Sequence, residues 1–123
     1  MKLVNRSVLV LKPTSKMLAW INNVGEKGDA VTMEEARGMN NAYLLPDFED
    51  DQEQARYIRF RMRNLFEHEL GSWCTDPRKW PSPRNHEAFR DWFQMEISHM
   101  VIDLGGDPIV LQPLNLTKDL DCE

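Results

Sequence analysis

Cysteine is scarce in this chain: Cys74 and Cys122 are the only two. One sits mid-chain and the other next to last, so a disulfide framework is not expected and reduced thiols are the simpler reading. Long apolar runs are also missing. The run at residues 8–11 is too short for the apolar region of a signal peptide, and polar residues bracket it. No stretch approaches the ~20 apolar residues of a membrane span, and a cytoplasmic protein is expected. Positive charge is in deficit, with 15 Lys and Arg against 20 Asp and Glu, a net charge of -5 and a pI of about 5.2. That balance argues against nucleic acid or an anionic membrane as a general partner, since both need a positive footprint, but leaves room for a local basic stripe. There is no glycine-rich phosphate loop: Gly105 and Gly106 are followed by Asp107-Pro108, where a helix start would be needed. No internal repeat is visible.

Metal motifs are absent too. His68-Glu69 lacks the second histidine four residues on that would put two imidazoles on one helix face. Cys74 has no partner cysteine at zinc-site spacing. No metal and no other cofactor is expected. Neither Cys74 nor Ser72 has an elbow-type glycine pattern around it, so no catalytic nucleophile is assigned.

What remains is an ordinary globular composition, 41% hydrophobic and 28% charged over 123 residues, which is one domain by length. Such a chain buries roughly two thirds of the surface that its unfolded form exposes. Residues 7–11 form a continuous β-branched and Leu run that suits a strand buried on both faces. Thr14 or Ser15 then caps a helix carrying Met17, Leu18, Ile21 and Val24, stopped by Gly25. Thr32 and Glu35 have capping-box spacing ahead of a short helical turn. Residues 42–45, closed by Pro46, read as a second strand, and a helical connection favours a parallel right-handed crossover if the two are neighbours. The acidic run at residues 47–53 suits a helix N-terminus. In the helix after it, Ala55, Ile58, Met62, Leu65, Phe66 and Leu70 recur down one face. Asn85 or Ser82 caps a further helix with Phe89, Trp92 and Phe93 as its buried stripe. Beyond it, residues 97–104 continue either as helix or as a strand. The β-branched residues and Gly105-Gly106 favour a strand returning through residues 109–112 as a hairpin. The expected architecture is one compact α+β domain over residues 1–112, a small sheet of three or four strands covered by two longer helices. Residues 113–123 form a loosely held tail.

Three of the four tryptophans, Trp73, Trp80 and Trp92, crowd into residues 66–93, with three prolines and two of the three histidines. Large aromatics on a Pro-punctuated loop between helices must pack on the core or line a recess. The pattern Trp73-x-Thr75-Asp76-Pro77-x-x-Trp80-Pro81, then Arg84-x-x-Glu87-x-Phe89-x-x-Trp92-Phe93, then Met100-Val101-x-Asp103-Leu104, resembles a small bacterial protein family of uncharacterised function. The Leu-Lys-Pro at residues 11–13, the helix with Trp20 and the Tyr43-Leu44-Leu45-Pro46 run are similar as well, so the likeness spans residues 7–104. It implies an α+β domain and carries no catalytic residues across.

The first functional reading is therefore a non-catalytic binding or adaptor module using the aromatic loop, residues 73–84, and the adjacent helix faces. Trp73, Trp80 and Trp92 would form its recess, with Arg78, Lys79 and Arg84 at the rim. The expected partner is a protein, a peptide or a small acidic ligand, and the chain a monomer or homodimer. The alternative is a small hydrolase or metal-dependent enzyme using His68, His86 or His99 with nearby carboxylates. A third reading is a nucleic-acid accessory protein, drawn from Arg56, Arg59 and Arg63 along one helix face. The same row reads as a solvated face laced with i, i+4 pairs such as Arg63 with Glu67.

Overall fold

The computed structural model of the protein describes residues 1–25 and 30–114. Its elements in chain order are β1 (Lys2–Val4), β2 (Ser7–Pro13), α1 (Ser15–Val24), α2 (Met33–Gly38), β3 (Ala42–Leu45), α3 (Asp51–Gly71), α4 (His86–Trp92), β4 (Phe93–Ser98) and β5 (Val101–Asp103). A single 3-10 turn, Pro77–Lys79, stands between α3 and α4. This is the α+β class the sequence leads to. The sheet proper has three strands in the order β3-β2-β4, and β1 pairs with β5 in a separate two-stranded ribbon.

The central strand shows how the layers form. Successive side chains of a strand point to opposite faces. In β2, Ser7, Leu9, Leu11 and Pro13 are buried, and the residues between them are only half-buried. The expectation of a strand buried on both faces is thus corrected: among the described residues, helices cover one face alone. Met17 and Ile21 of α1, Ala36 of α2, Ile58, Leu65, Phe66 and Leu70 of α3, and Phe89 of α4 close over Leu9 and Leu11. At the centre lies Phe66, fully enclosed. Its ring meets Phe89 at 5.8 Å, Trp92 at 5.9 Å and Phe93 at 5.4 Å, inside the range where aromatic pairs attract beyond their burial.

Local signals place the helices. Asp50 caps α3, its side chain accepting from the Glu53 N–H at 2.8 Å, and Asp51 and Glu53 occupy the first turn. Asn85 caps α4 by accepting from the Ala88 N–H at 2.8 Å. Thr32 and Glu35 form the full capping box of α2. Thr14 stands at the N-cap of α1, but its hydroxyl donates instead to the Asp91 carbonyl at 2.6 Å and its N–H to the Trp92 carbonyl at 3.0 Å. That pair of bonds fixes the start of α1 to the end of α4.

Two connections differ from expectation. β3 runs antiparallel to β2, with Ser7 opposite Leu45 and Val10 opposite Ala42. The reason is that two helices, not one, join the strands. α1 carries the chain away and α2 brings it back, ending where Arg37 donates to the Pro13 carbonyl at 3.4 Å. The chain then enters β3 from the end at which it left β2. The proposed strand of residues 97–104 also divides. α4 gives way directly to β4, which pairs with β2, and β5 pairs with β1. Residues 109–112 form no strand, because the start of the chain supplies the partner that the glycine hairpin was expected to supply. Between the pairs Val4–Val101 and Val8–Ser98, the residues 5–7 stand against only two, 99 and 100. The pairing is interrupted there, and the ribbon forms a sheet of its own. Of the tail assigned to residues 113–123, Pro113 and Leu114 have no regular structure and the remainder lies outside the described residues.

Candidate functional site

The aromatic loop is stitched to the domain by its own polar atoms. Trp73 and Cys74 donate their N–H groups to the Leu70 carbonyl at 3.0 and 2.9 Å, wrapping the chain around the end of α3. The Trp80 indole N–H donates to the Cys74 carbonyl at 2.7 Å, and the Trp20 indole N–H of α1 to the Lys79 carbonyl at 2.9 Å. Asp76 caps the 3-10 turn through the Arg78 N–H and grips the Arg78 guanidinium at two points, each 3.0 Å. Those bonds from Arg78 hold the Asp76 carboxyl below the usual carboxylate range. Arg84 lies 5.7 Å from the centre of the Trp80 ring and binds Glu67 at 3.1 Å and the Pro81 carbonyl at 3.0 Å. Cys74 is buried and disulfide-bonded, which corrects the expectation of reduced thiols at this position; Cys122 lies outside the described residues.

Of the six residues singled out from the sequence, five lie on the loop and Trp92 closes α4. Trp73 lines a small cavity beside Pro13, Met17 and Phe93. Trp80 packs against the end of α3, where a Cβ on Gly71 would stand 3.7 Å from its ring. Trp92 meets Trp20 at 6.0 Å and Phe66 at 5.9 Å. Arg78 is exposed and paired with Asp76, Lys79 is exposed, and Arg84 is half-buried against Trp80.

The histidines stand apart as well. His68 and Glu69, near the end of α3, form a polar chain with β3 and the residue before it. The Tyr43 hydroxyl donates to Glu69 Oε2, and the Asn41 amide donates to the same oxygen at 2.8 Å. The Tyr43 oxygen also lies 2.7 Å from His68 Nδ1. A phenol has one hydrogen to give. Because it goes to Glu69, Nδ1 of His68 must carry the proton and donate to Tyr43. Burial, then the adjoining Glu69 carboxylate, push the Tyr43 phenol far above its ordinary value. His86 is the first residue of α4, with its Nδ1 enclosed and unpartnered, and His99 is exposed in the bend between β4 and β5. Among the described residues no three His, Cys, Asp or Glu side chains are placed to hold a metal ion.

A groove of about 650 Å³ lies between the first half of α3, the start of α4 and β4. Ile58, Met62, Phe89, Met95 and Ile97 make its floor, and Arg56, Arg59, His86 and Asp51 stand around it. Its size falls in the ~300–1,000 Å³ of ordinary ligand sites. β4 is the last strand of its sheet, so one edge of it has no partner strand among the described residues. Among the strands, β4 alone lines the groove, through Met95 and Ile97. Of the arginine row, Arg63 pairs with Glu67 at 3.2 Å, as the i, i+4 spacing predicts. Arg56 and Arg59 form no ion pair among the described residues.

Sequence reasoning missed the groove and the Glu69 chain. Helical period was the available signal: Glu69 lies four residues after Leu65 and three after Phe66, and Gln54 four before Ile58, so both polar residues fall on the buried face. The comparisons add no relative, since no family model, no curated protein and no solved structure matches this chain. No helix among the described residues is long and apolar enough to cross a membrane.

Proposed function

We propose that this protein is a non-catalytic binding module, and that the helix faces beside the aromatic loop, not the loop's own tryptophans, form its binding surface. The carrying observation is the groove itself. An apolar floor, two arginines without a carboxylate partner and an unpaired strand edge lie together on a chain of net charge -5. An extended peptide laid along β4 would gain main-chain hydrogen bonds from the edge, and alternate side chains would enter the groove. Arg56 and Arg59 favour acidic residues on that peptide, and Ile58, Met62, Phe89, Met95 and Ile97 favour aliphatic ones. The loop's part is to hold the start of α4 in place, since Trp80 and Arg84 bond to carbonyls within it and Trp20 ties it to α1. The alternative of a small enzyme using His68, His86 or His99 draws less support, because the three histidines occupy three separate places.

The test is fluorescence anisotropy with a short labelled peptide alternating valine and glutamate, against one alternating valine and lysine. The acidic peptide should bind more tightly, and the Arg56→Glu/Arg59→Glu variant should weaken it by about tenfold or more, as two rim charges are reversed. Equal binding of the two peptides, or a variant that binds as well as the parent, refutes the reading. A loss seen only in Trp80→Ala would return the site to the loop.

A further inference from the structure

At the opposite end of α3 from the groove, a cavity of about 160 Å³ holds a buried carboxylate with no cation beside it. Glu69 is only 6% exposed and forms no ion pair among the described residues. Both of its protein hydrogen bonds, from Tyr43 and Asn41, fall on Oε2. No described donor reaches Oε1. A second acceptor in the same lining is also idle: Asn40 Oδ1 is buried and has no partner. An ionised carboxylate out of water is costly unless a cation or several donors meet it, and here the two donors, Tyr43 and Asn41, both meet Oε2.

We propose that this cavity is a binding site for a small organic ammonium ion. The N–H groups of a primary ammonium would donate to Glu69 Oε1 and Asn40 Oδ1. Trp73 stands in the wall, and an indole ring attracts a cation over its face. Met17, Met39 and Phe93 would meet its alkyl part. The volume is about five times the ~30 Å³ share of one water, enough for a short alkyl chain. A bare metal ion fits less well, because a hard cation takes about six or more oxygen ligands and the side-chain oxygens of this lining come from Asn40, Asn41, Glu69 and Ser72. The Tyr43–His68 chain would keep Oε2 occupied and hold the carboxylate in its orientation.

The probe is n-butylammonium chloride, with n-butanol, butyrate and magnesium chloride as controls, read by thermal shift and by the Asn40 side-chain amide signal in NMR. The proposal expects a saturable stabilisation and a saturable Asn40 shift with butylammonium alone. Glu69→Gln keeps the acceptor for Tyr43 and Asn41 but removes the charge, and should weaken binding by about tenfold or more. Asn40→Ala, which leaves the Glu69 chain intact, should weaken it several-fold and covers the case in which Glu69→Gln does not fold. The proposal is overturned if no amine binds saturably, if magnesium alone reproduces the shift, or if the folded variants bind as the parent does. Groove binding, at the other end of α3, should be unchanged by either substitution, so the two sites stand or fall separately.

Discussion

Tyr43→Phe removes one hydroxyl and tests the polar chain at its middle. In the parent that hydroxyl donates to the buried Glu69 carboxylate and accepts from His68. A hydrogen bond to a charged group contributes about 1.5–3 kcal/mol, against about 1 for a neutral one. His68 is half-buried, so water can replace its lost acceptor at little cost. The expected loss is therefore about 2–3 kcal/mol in urea unfolding followed by tryptophan fluorescence, at an unchanged denaturant slope. In a Glu69→Gln background the same substitution removes a neutral bond and should cost only about 1 kcal/mol. The double-mutant cycle should then show a coupling of about 1–2 kcal/mol. Losses that add to within about 0.5 kcal/mol, the behaviour of independent sites, would refute the account of Tyr43 as donor to an ionised Glu69.

Phe66 is fully enclosed between three aromatic rings, and Phe66→Ala should cost about 3–5 kcal/mol. That lowers Tm by roughly 10 °C or more on a thermal scan. The Asp76 carboxyl should titrate below the ordinary aspartate value by NMR, and Arg78→Ala should bring it back up. A depressed folded value means that Asp76 contributes stability above the unfolded pKa and loses it as pH falls through the folded one. The acid limb of a stability–pH curve should therefore flatten in Asp76→Asn.

Much of the fold was legible locally because its signals are local. Asp50, Thr32 and Asn85 each satisfy an exposed N–H three residues on, and such a bond needs no tertiary context. The alternation of β2 and the stripe of α3 follow from backbone period. What the sequence could not show was long-range pairing. Lys2–Val4 and Val101–Asp103 lie at opposite ends of the chain, and nothing in Ile109-Val110-Leu111 says that the partner place is already taken. Strand direction failed for a related reason, since α2 was a turn too short to weigh as a second return path. The aromatic cluster was legible as a packed centre. How the loop is tied down was not, because the polar ends of Trp80, Arg84 and Trp20 find backbone carbonyls that only the folded loop presents.

The most direct test of the binding role is an NMR titration of the isotope-labelled protein with the valine–glutamate peptide. The account predicts shifts at Met95, Glu96 and Ile97 and at Arg56 and Arg59, with slowed amide exchange along the free edge of β4. Shifts confined to residues 73–84, or none at β4 on saturation, would contradict it.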